Sequence, residues 1–156
     1  MLFDVNEDTN DQYSIVSMID NILSRTEDLS KNELNNYVIV VLNNRELIFL
    51  KEENFGVPFI NKDNRVMIPL RKSLEVIGAK VSYDNVNSIV TAKKDGITIK
   101  IPIGKNSIDV NGQIVKMDTT AILMDNRTYI PLRAIFSAFG YEIEYHNNSK
   151  TVILSN

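Results

Sequence analysis

An internal repeat constrains this chain more than any other feature. Asn64-Arg65-Val66-Met67-Ile68-Pro69-Leu70-Arg71 returns as Asn126-Arg127-Thr128-Tyr129-Ile130-Pro131-Leu132-Arg133, with six of the eight positions identical. The offset is 131 − 69 = 62 residues, and it continues without a gap through Gly78/Gly140, Val81/Ile143, Tyr83/Tyr145 and Val90/Val152. Upstream the register slips. Asn43 precedes Pro69 by 26 residues and Asn111 precedes Pro131 by 20, which places about six extra residues in the Lys51–Gly56 loop. A period of about 60 residues is longer than the common solenoid periods. Two copies therefore predict a pair of sheet-plus-helix units and not a long array.

The octapeptide has a physical reading. Asn favours a turn. Four residues of strand follow, and Pro at the first helical position starts a helix with φ already set. Leu70 and Leu132 face the sheet. Arg71 and Arg133 fall in the first helical turn, where the macrodipole disfavours a cation, so each needs a specific acceptor. The planar guanidinium fork allows two roles: a half-buried structural clamp inside each repeat, or an anion-binding group. Leu70, Leu74 and Ile77 share one helix face, and Gly78 and Gly140 suit the C′ position.

Around this motif the sequence reads as short strands. Tyr37–Leu42 and Arg45–Leu50 flank an Asn43-Asn44 turn. Lys80–Asp84 pairs with Ile89–Lys93, and Asp95-Gly96 leads into Ile97–Ile103. Ser107–Val110 and Gln113–Met117 flank Asn111-Gly112, the strongest two-residue hairpin signal. Ahead of these, residues 1–10 form an acidic tail. Asp11–Leu29 carries Ile15, Met18, Ile19, Ile22 and Leu23 at helical spacing, an amphipathic face in need of a partner: the chain's own repeats or a neighbouring subunit. Ser30-Lys31-Asn32-Glu33 has capping-box spacing. The organisation is thus an N-terminal tail and helix over 1–36, a first repeat over 37–104 and a second over 105–156. Helices segregated on antiparallel strands give the α+β class.

Composition narrows the chemistry. The 156 residues carry 17 Lys+Arg against 20 Asp+Glu, a net charge of −3, so a nucleic-acid backbone is not the expected partner. With no Cys and one His, neither a disulfide nor a zinc or imidazole-built copper site is expected. His146 reads as an exposed turn residue, with Ser149 nearby but no orienting carboxylate for a triad. No phosphate-cradling Gly loop is present, and Asp84-Asn85-Val86-Asn87 reads as a hairpin turn and not a calcium loop. No apolar run approaches the ~18 residues of a membrane span. The start, MLFDVNEDTNDQ, lacks the basic and apolar regions of a secretory signal. The expectation divides between a chain kept in the cell and one whose signal has been removed.

NRTYIPLRAIFSAFGYEIEYHNNSKTVIL resembles the repeat of the copper amine oxidase N-terminal-like, or stalk, domain family, and NRVMIPLRKSLEVIGAKVSYDNVNSIVTAKKDG resembles it too. IDVNGQIVKMDTTAILMDNR resembles that family's opening hairpin. The likeness covers about 37–156. Two departures stand out: Tyr83 and Tyr145 replace a frequent Trp, and Lys72-Ser73-Leu74-Glu75 lacks the usual Ala-rich pattern. The resemblance implies an accessory module away from any catalytic centre, without cofactor, found in Gram-positive surface and secreted proteins and in phage-associated proteins. It implies a structural motif formed by Asn64, Arg65, Pro69, Leu70, Arg71, Gly78, Asn126, Arg127, Pro131, Leu132, Arg133 and Gly140. Three functions follow. The first is a component of a protein assembly such as a phage or phage-tail-like particle, bound to neighbouring subunits. The second is a wall-attachment module whose glycan platforms would be Tyr83, Tyr129 and Tyr145. The third, a hydrolase, has no residue pattern in its favour.

Overall fold

β-branched runs cut by residues that tolerate positive φ make this chain mostly hairpins. The computed structural model describes residues 2–4, 38–49 and 56–156. In chain order the strands before the first helix are β1 Leu2–Asp4, β2 Ile39–Leu42, β3 Arg45–Leu47, β4 Phe59–Ile60 and β5 Val66–Pro69. Helix α1, Leu70–Val76, leads to β6 Lys80–Asp84, β7 Ile89–Lys94, β8 Ile97–Pro102, β9 Ser107–Val110, β10 Gln113–Lys116, β11 Ile122–Met124 and β12 Arg127–Pro131. Helix α2, Leu132–Ala138, precedes β13 Glu142–His146 and β14 Thr151–Ser155. The described residues are mostly β-sheet with two short helices, within the α+β class. Four hairpins turn on two residues that both have positive φ: Asn43-Asn44, Asp95-Gly96, Asn111-Gly112 and Asp125-Asn126. Such turns match the right-handed twist of the strands they join.

The amphipathic helix expected over 11–29, with Ile15, Met18, Ile19, Ile22 and Leu23, lies outside the described residues. So do the 30–33 capping turn and residues 51–55 of the longer loop. No helix among the described residues is long and apolar enough to cross a membrane.

The sheets mix strands from both sequence repeats. One orders β1-β3-β2-β14-β13, the second β10-β9-β8-β7-β6, and the third β11-β12-β5-β4. In the third, β5 and β12 run antiparallel, with Met67 opposite Pro131, Ile68 opposite Ile130 and Pro69 opposite Tyr129. Positions 62 apart thus exchange across this pairing, as they do about a local two-fold axis. The five-stranded sheets follow the same exchange. In the first, the opening hairpin β2–β3 joins the closing hairpin β13–β14 through a parallel β14–β2 contact. In the second, closing hairpin β6–β7 and opening hairpin β9–β10 are held in the same relative direction, but β8 is interposed and every neighbour is antiparallel.

One apolar cluster serves all three sheets. It holds Ile68, Leu70, Leu74, Val90, Ile99 and Ile101 together with Ile130, Leu132, Ile135, Phe136, Val152 and Leu154. Burial of each large side chain stabilises the fold by about 1.5–3 kcal/mol.

The helices begin one residue later than the sequence suggests. Pro69 (φ −58, ψ 124) and Pro131 (φ −63, ψ 114) keep extended backbone, end their strands and act as N-caps. Each proline still belongs to the sheet through its pairing, so the helix starts at the following Leu. The Ser73 hydroxyl donates to the Pro69 carbonyl. Both helices end alike. Gly78 N–H donates to Glu75 O at 3.0 Å and Ala79 N–H to Leu74 O at 2.9 Å; Gly140 N–H donates to Ser137 O and Tyr141 N–H to Phe136 O, both at 3.0 Å. Each pair is a Schellman motif with glycine in the left-handed region at C′. In α2 the accompanying apolar contact is Phe136 on Tyr141, edge to face with centroids 5.4 Å apart.

Candidate interaction surface

The two helices carry different residues at equivalent positions, and the smaller set lines a groove. At an offset of 62, Lys72, Glu75 and Val76 of α1 correspond to Ala134, Ser137 and Ala138 of α2. For the opening hairpins the offset is 111 − 43 = 68, so Leu47 and Phe49 correspond to Val115 and Met117. On the α1 side Lys72 is buried, with its ammonium 5.4 Å from the centre of the Phe49 ring, and Leu47 and Phe49 are 3% and 5% exposed. On the α2 side the small residues leave a groove of about 1030 Å³. Val115, the counterpart of Leu47, is 43% exposed.

Three elements shape the groove. Helix α2 gives Ala134, Ser137 and Ala138, the closing hairpin gives Ile143, Tyr145 and Val152, and edge strand β10 gives Gln113, Val115 and Lys116. Arg133, the 61–65 turn through Asn64 and Arg65, and Val66 of β5 complete the rim. Side-chain hydrogen bonds tie the turn. Asn61 Oδ1 accepts the backbone N–H groups of Asp63 and Arg65, both at 3.0 Å, while its amide donates to Thr119 Oγ1 at 2.7 Å. Thr119 in turn donates to Asp63 Oδ2 at 2.9 Å. Arg65 Nε donates to Asp118 Oδ2 at 2.6 Å, an exposed ion pair at the mouth. Arg65 is thereby neutralised, and Arg133 and Lys116 remain as cations beside an apolar floor.

The octapeptide residues divide by role. Leu70 and Leu132 are core, Pro69 and Pro131 join strand to helix, and Gly78 and Gly140 terminate the helices. Asn64 (φ 59) and Asn126 (φ 62) occupy turn positions in the left-handed region. Arg127 is half-buried. The clamp expected of Arg71 and Arg133 is corrected: both are exposed, and neither makes a hydrogen bond or ion pair among the described residues. The first helical residue is the buried leucine, so the next side chain turns outward to water, which screens the unfavourable dipole.

His146 is not in the turn. It is the last residue of β13, opposite Thr151, with Nε2 3.0 Å from Glu144 Oε1. Ser149 Oγ donates to the His146 carbonyl and not to the imidazole. Tyr129 is 4% exposed and packs edge to face on Phe59, which removes it as a surface platform; Tyr83 is exposed and Tyr145 half-buried. The Asp84 carboxylate organises the 84–88 turn. It accepts from Asn87 Nδ2 at 2.7 Å and from the Asn87 and Val86 N–H groups at 3.1 Å, and these bonds, the Asn87 side chain first, hold its pKa below the ordinary value. Asp95 beside Lys94 raises the lysine's pKa.

A family model described as copper amine oxidase N-terminal domain matches residues 35–154. Among curated proteins, a primary amine oxidase of Klebsiella aerogenes is 28% identical over 64 residues. That segment is 41% of this chain and 8% of the relative's own length. Copper does not fit the residues present. The chain has one His and no Cys, and among the described residues no group of three or more His, Cys, Asp or Glu side chains is placed to hold a metal ion.

Proposed function

The chain belongs to the copper amine oxidase N-terminal domain family, and from that premise we propose that it is a non-catalytic interaction module, a component of a protein assembly such as a phage or phage-tail-like particle. Its two sequence repeats are read as stalk-like units that have exchanged strands to share one core. The observation that carries the reading is the groove on the α2 side of the duplicated frame. Ala134 and Ser137 line it, at the positions that Lys72 and Glu75 hold on α1. A groove with an apolar floor, two rim cations and an adjoining sheet edge suits a polypeptide, because a strand edge recognises backbone while the floor takes side chains.

A second reading, attachment to a wall polymer, draws on Tyr145 and Arg133, which both line the groove, an aromatic and a cation that suit an anionic glycan. Fractionation separates the two. Cells of the source organism are induced, wall material is separated from purified particles, and the protein's peptides are counted by mass spectrometry. Enrichment in particles is the expected result. Enrichment in the wall fraction, with retention on purified peptidoglycan, would replace assembly by attachment.

A further inference from the structure

Among the described residues, the two ends of each five-stranded sheet are not equally protected. β3 is covered by β1, which pairs with it antiparallel. β13 carries Glu142 and Glu144, and β6 carries Lys80 and Asp84, charges that discourage edge pairing. β10 ends its five-stranded sheet among the described residues, and its centre is Ile114-Val115, 69% and 43% exposed. Its counterpart on β3 is Glu46-Leu47, both 3% exposed. The same position in the duplicated frame is closed on one side and open, with apolar residues, on the other.

We propose that β10 pairs antiparallel with β10 of a second copy, joining the two five-stranded sheets across a two-fold axis. The inference rests on reading the α2 side as the interaction face, and it names the partner for the edge of that face. The backbone sets the register. The Asn111-Gly112 turn closes on a hydrogen-bonded Val110–Gln113 pair. By alternation Gln113 and Val115 direct their N–H and C=O groups to β9, and Ile114 and Lys116 direct theirs outward. Met117 N–H donates inward to Asn106 O at 2.7 Å, in keeping with that alternation. Outward residues can pair only with outward residues, so one solution places Val115 on the axis and Ile114 opposite Lys116 of the second copy.

That solution is complementary in charge. Asp109 lies directly opposite Ile114 on β9. One of its carboxylate oxygens accepts the Gly112 N–H at 2.6 Å, and the other accepts no hydrogen bond among the described residues. Strands lie about 4.8 Å apart, so Asp109 and the second copy's Lys116 flank Ile114 at about 10 Å between backbones. The lysine stem then covers Ile114 and its ammonium reaches the carboxylate. The axis repeats this contact, and no two like charges stand opposite each other.

Sedimentation velocity on the full chain, from low micromolar to near-millimolar concentration, tests the pairing. A reversible dimer is expected. I114K sets two ammonium groups opposite each other and is expected to weaken the dimer at least tenfold without altering the fold, because Ile114 is exposed. The double variant I114K/K116E sets ammonium opposite carboxylate and is expected to restore it. A chain monomeric at every concentration overturns the proposal, as does a dimer that I114K leaves unchanged. A monomer that still enters its assembly would overturn the pairing alone and leave the interaction reading standing.

Discussion

Ile68 and Ile130 stand directly opposite each other where β5 meets β12, and both are fully buried. They are the same residue of the two repeats, so the local two-fold axis passes between them. Ile68→Ala is expected to cost about 3 kcal/mol, and Ile130→Ala a similar amount, since each removes buried methyl groups and leaves a cavity. The double variant should deviate from additivity by more than about 0.5 kcal/mol, because the two sites share one cavity. Urea unfolding of the three variants measures both. Additive losses would contradict the shared pairing.

Glycines in the left-handed region should differ by what surrounds them. A Cβ on Gly140 meets nothing within 4 Å, so Gly140→Ala pays only for φ +87, about 1–2 kcal/mol. A Cβ on Gly56, at φ +88, would run into the hydroxyl of the buried Tyr129. Gly56→Ala is therefore expected to lower the melting temperature further than Gly140→Ala. The reverse order would contradict the packing of Tyr129 under Gly56.

The exposed arginines and the Asn61 turn make opposite predictions. Arg133→Ala, with no partner lost, should leave unfolding free energy within about 0.5 kcal/mol of the parent. Asn61→Ala strips two backbone N–H groups and Thr119 of their partner and should cost about 1–2 kcal/mol. A large loss for Arg133→Ala would restore the clamp.

Asp84 links the 84–88 turn to pH. Its folded pKa is depressed, so the stabilisation it gives is full above the unfolded value of 3.8 and is lost as pH falls through the folded value. NMR titration should place the Asp84 carboxyl midpoint below 3.8. Asp84→Asn should remove that step from the acid unfolding profile. A midpoint at or above the ordinary value would mean the Asn87 bonds do not form in solution.

Much of the local structure was legible in the sequence because it depends on neighbours in the chain. Asn-Gly, Asp-Gly and Asn-Asn marked turns that have positive φ, and Gly78 and Gly140 marked the helix ends. What periodicity does not encode is which strand lies beside which. The pairing of Ile39 with Thr151 joins residues over a hundred positions apart, and alternation fixes only the face a side chain takes. His146 was misplaced because its flanking Asn-Asn-Ser looks like turn chemistry, and strand β13 runs up to it. The groove has a sequence signal of its own. It lies where the repeats differ, at Lys72/Ala134, Glu75/Ser137 and Phe49/Met117, and not where they agree.

The α2 side of the duplicated frame is the face proposed to carry function. Ser137→Trp fills the groove, and Glu75→Trp makes the same change at the equivalent exposed position of α1. Each variant would be expressed in the source organism in place of the parent, and its incorporation into purified particles measured by quantitative mass spectrometry. The account predicts that Ser137→Trp is lost from particles and Glu75→Trp is retained, with both folded. Retention of Ser137→Trp, or selective loss of Glu75→Trp, would contradict it.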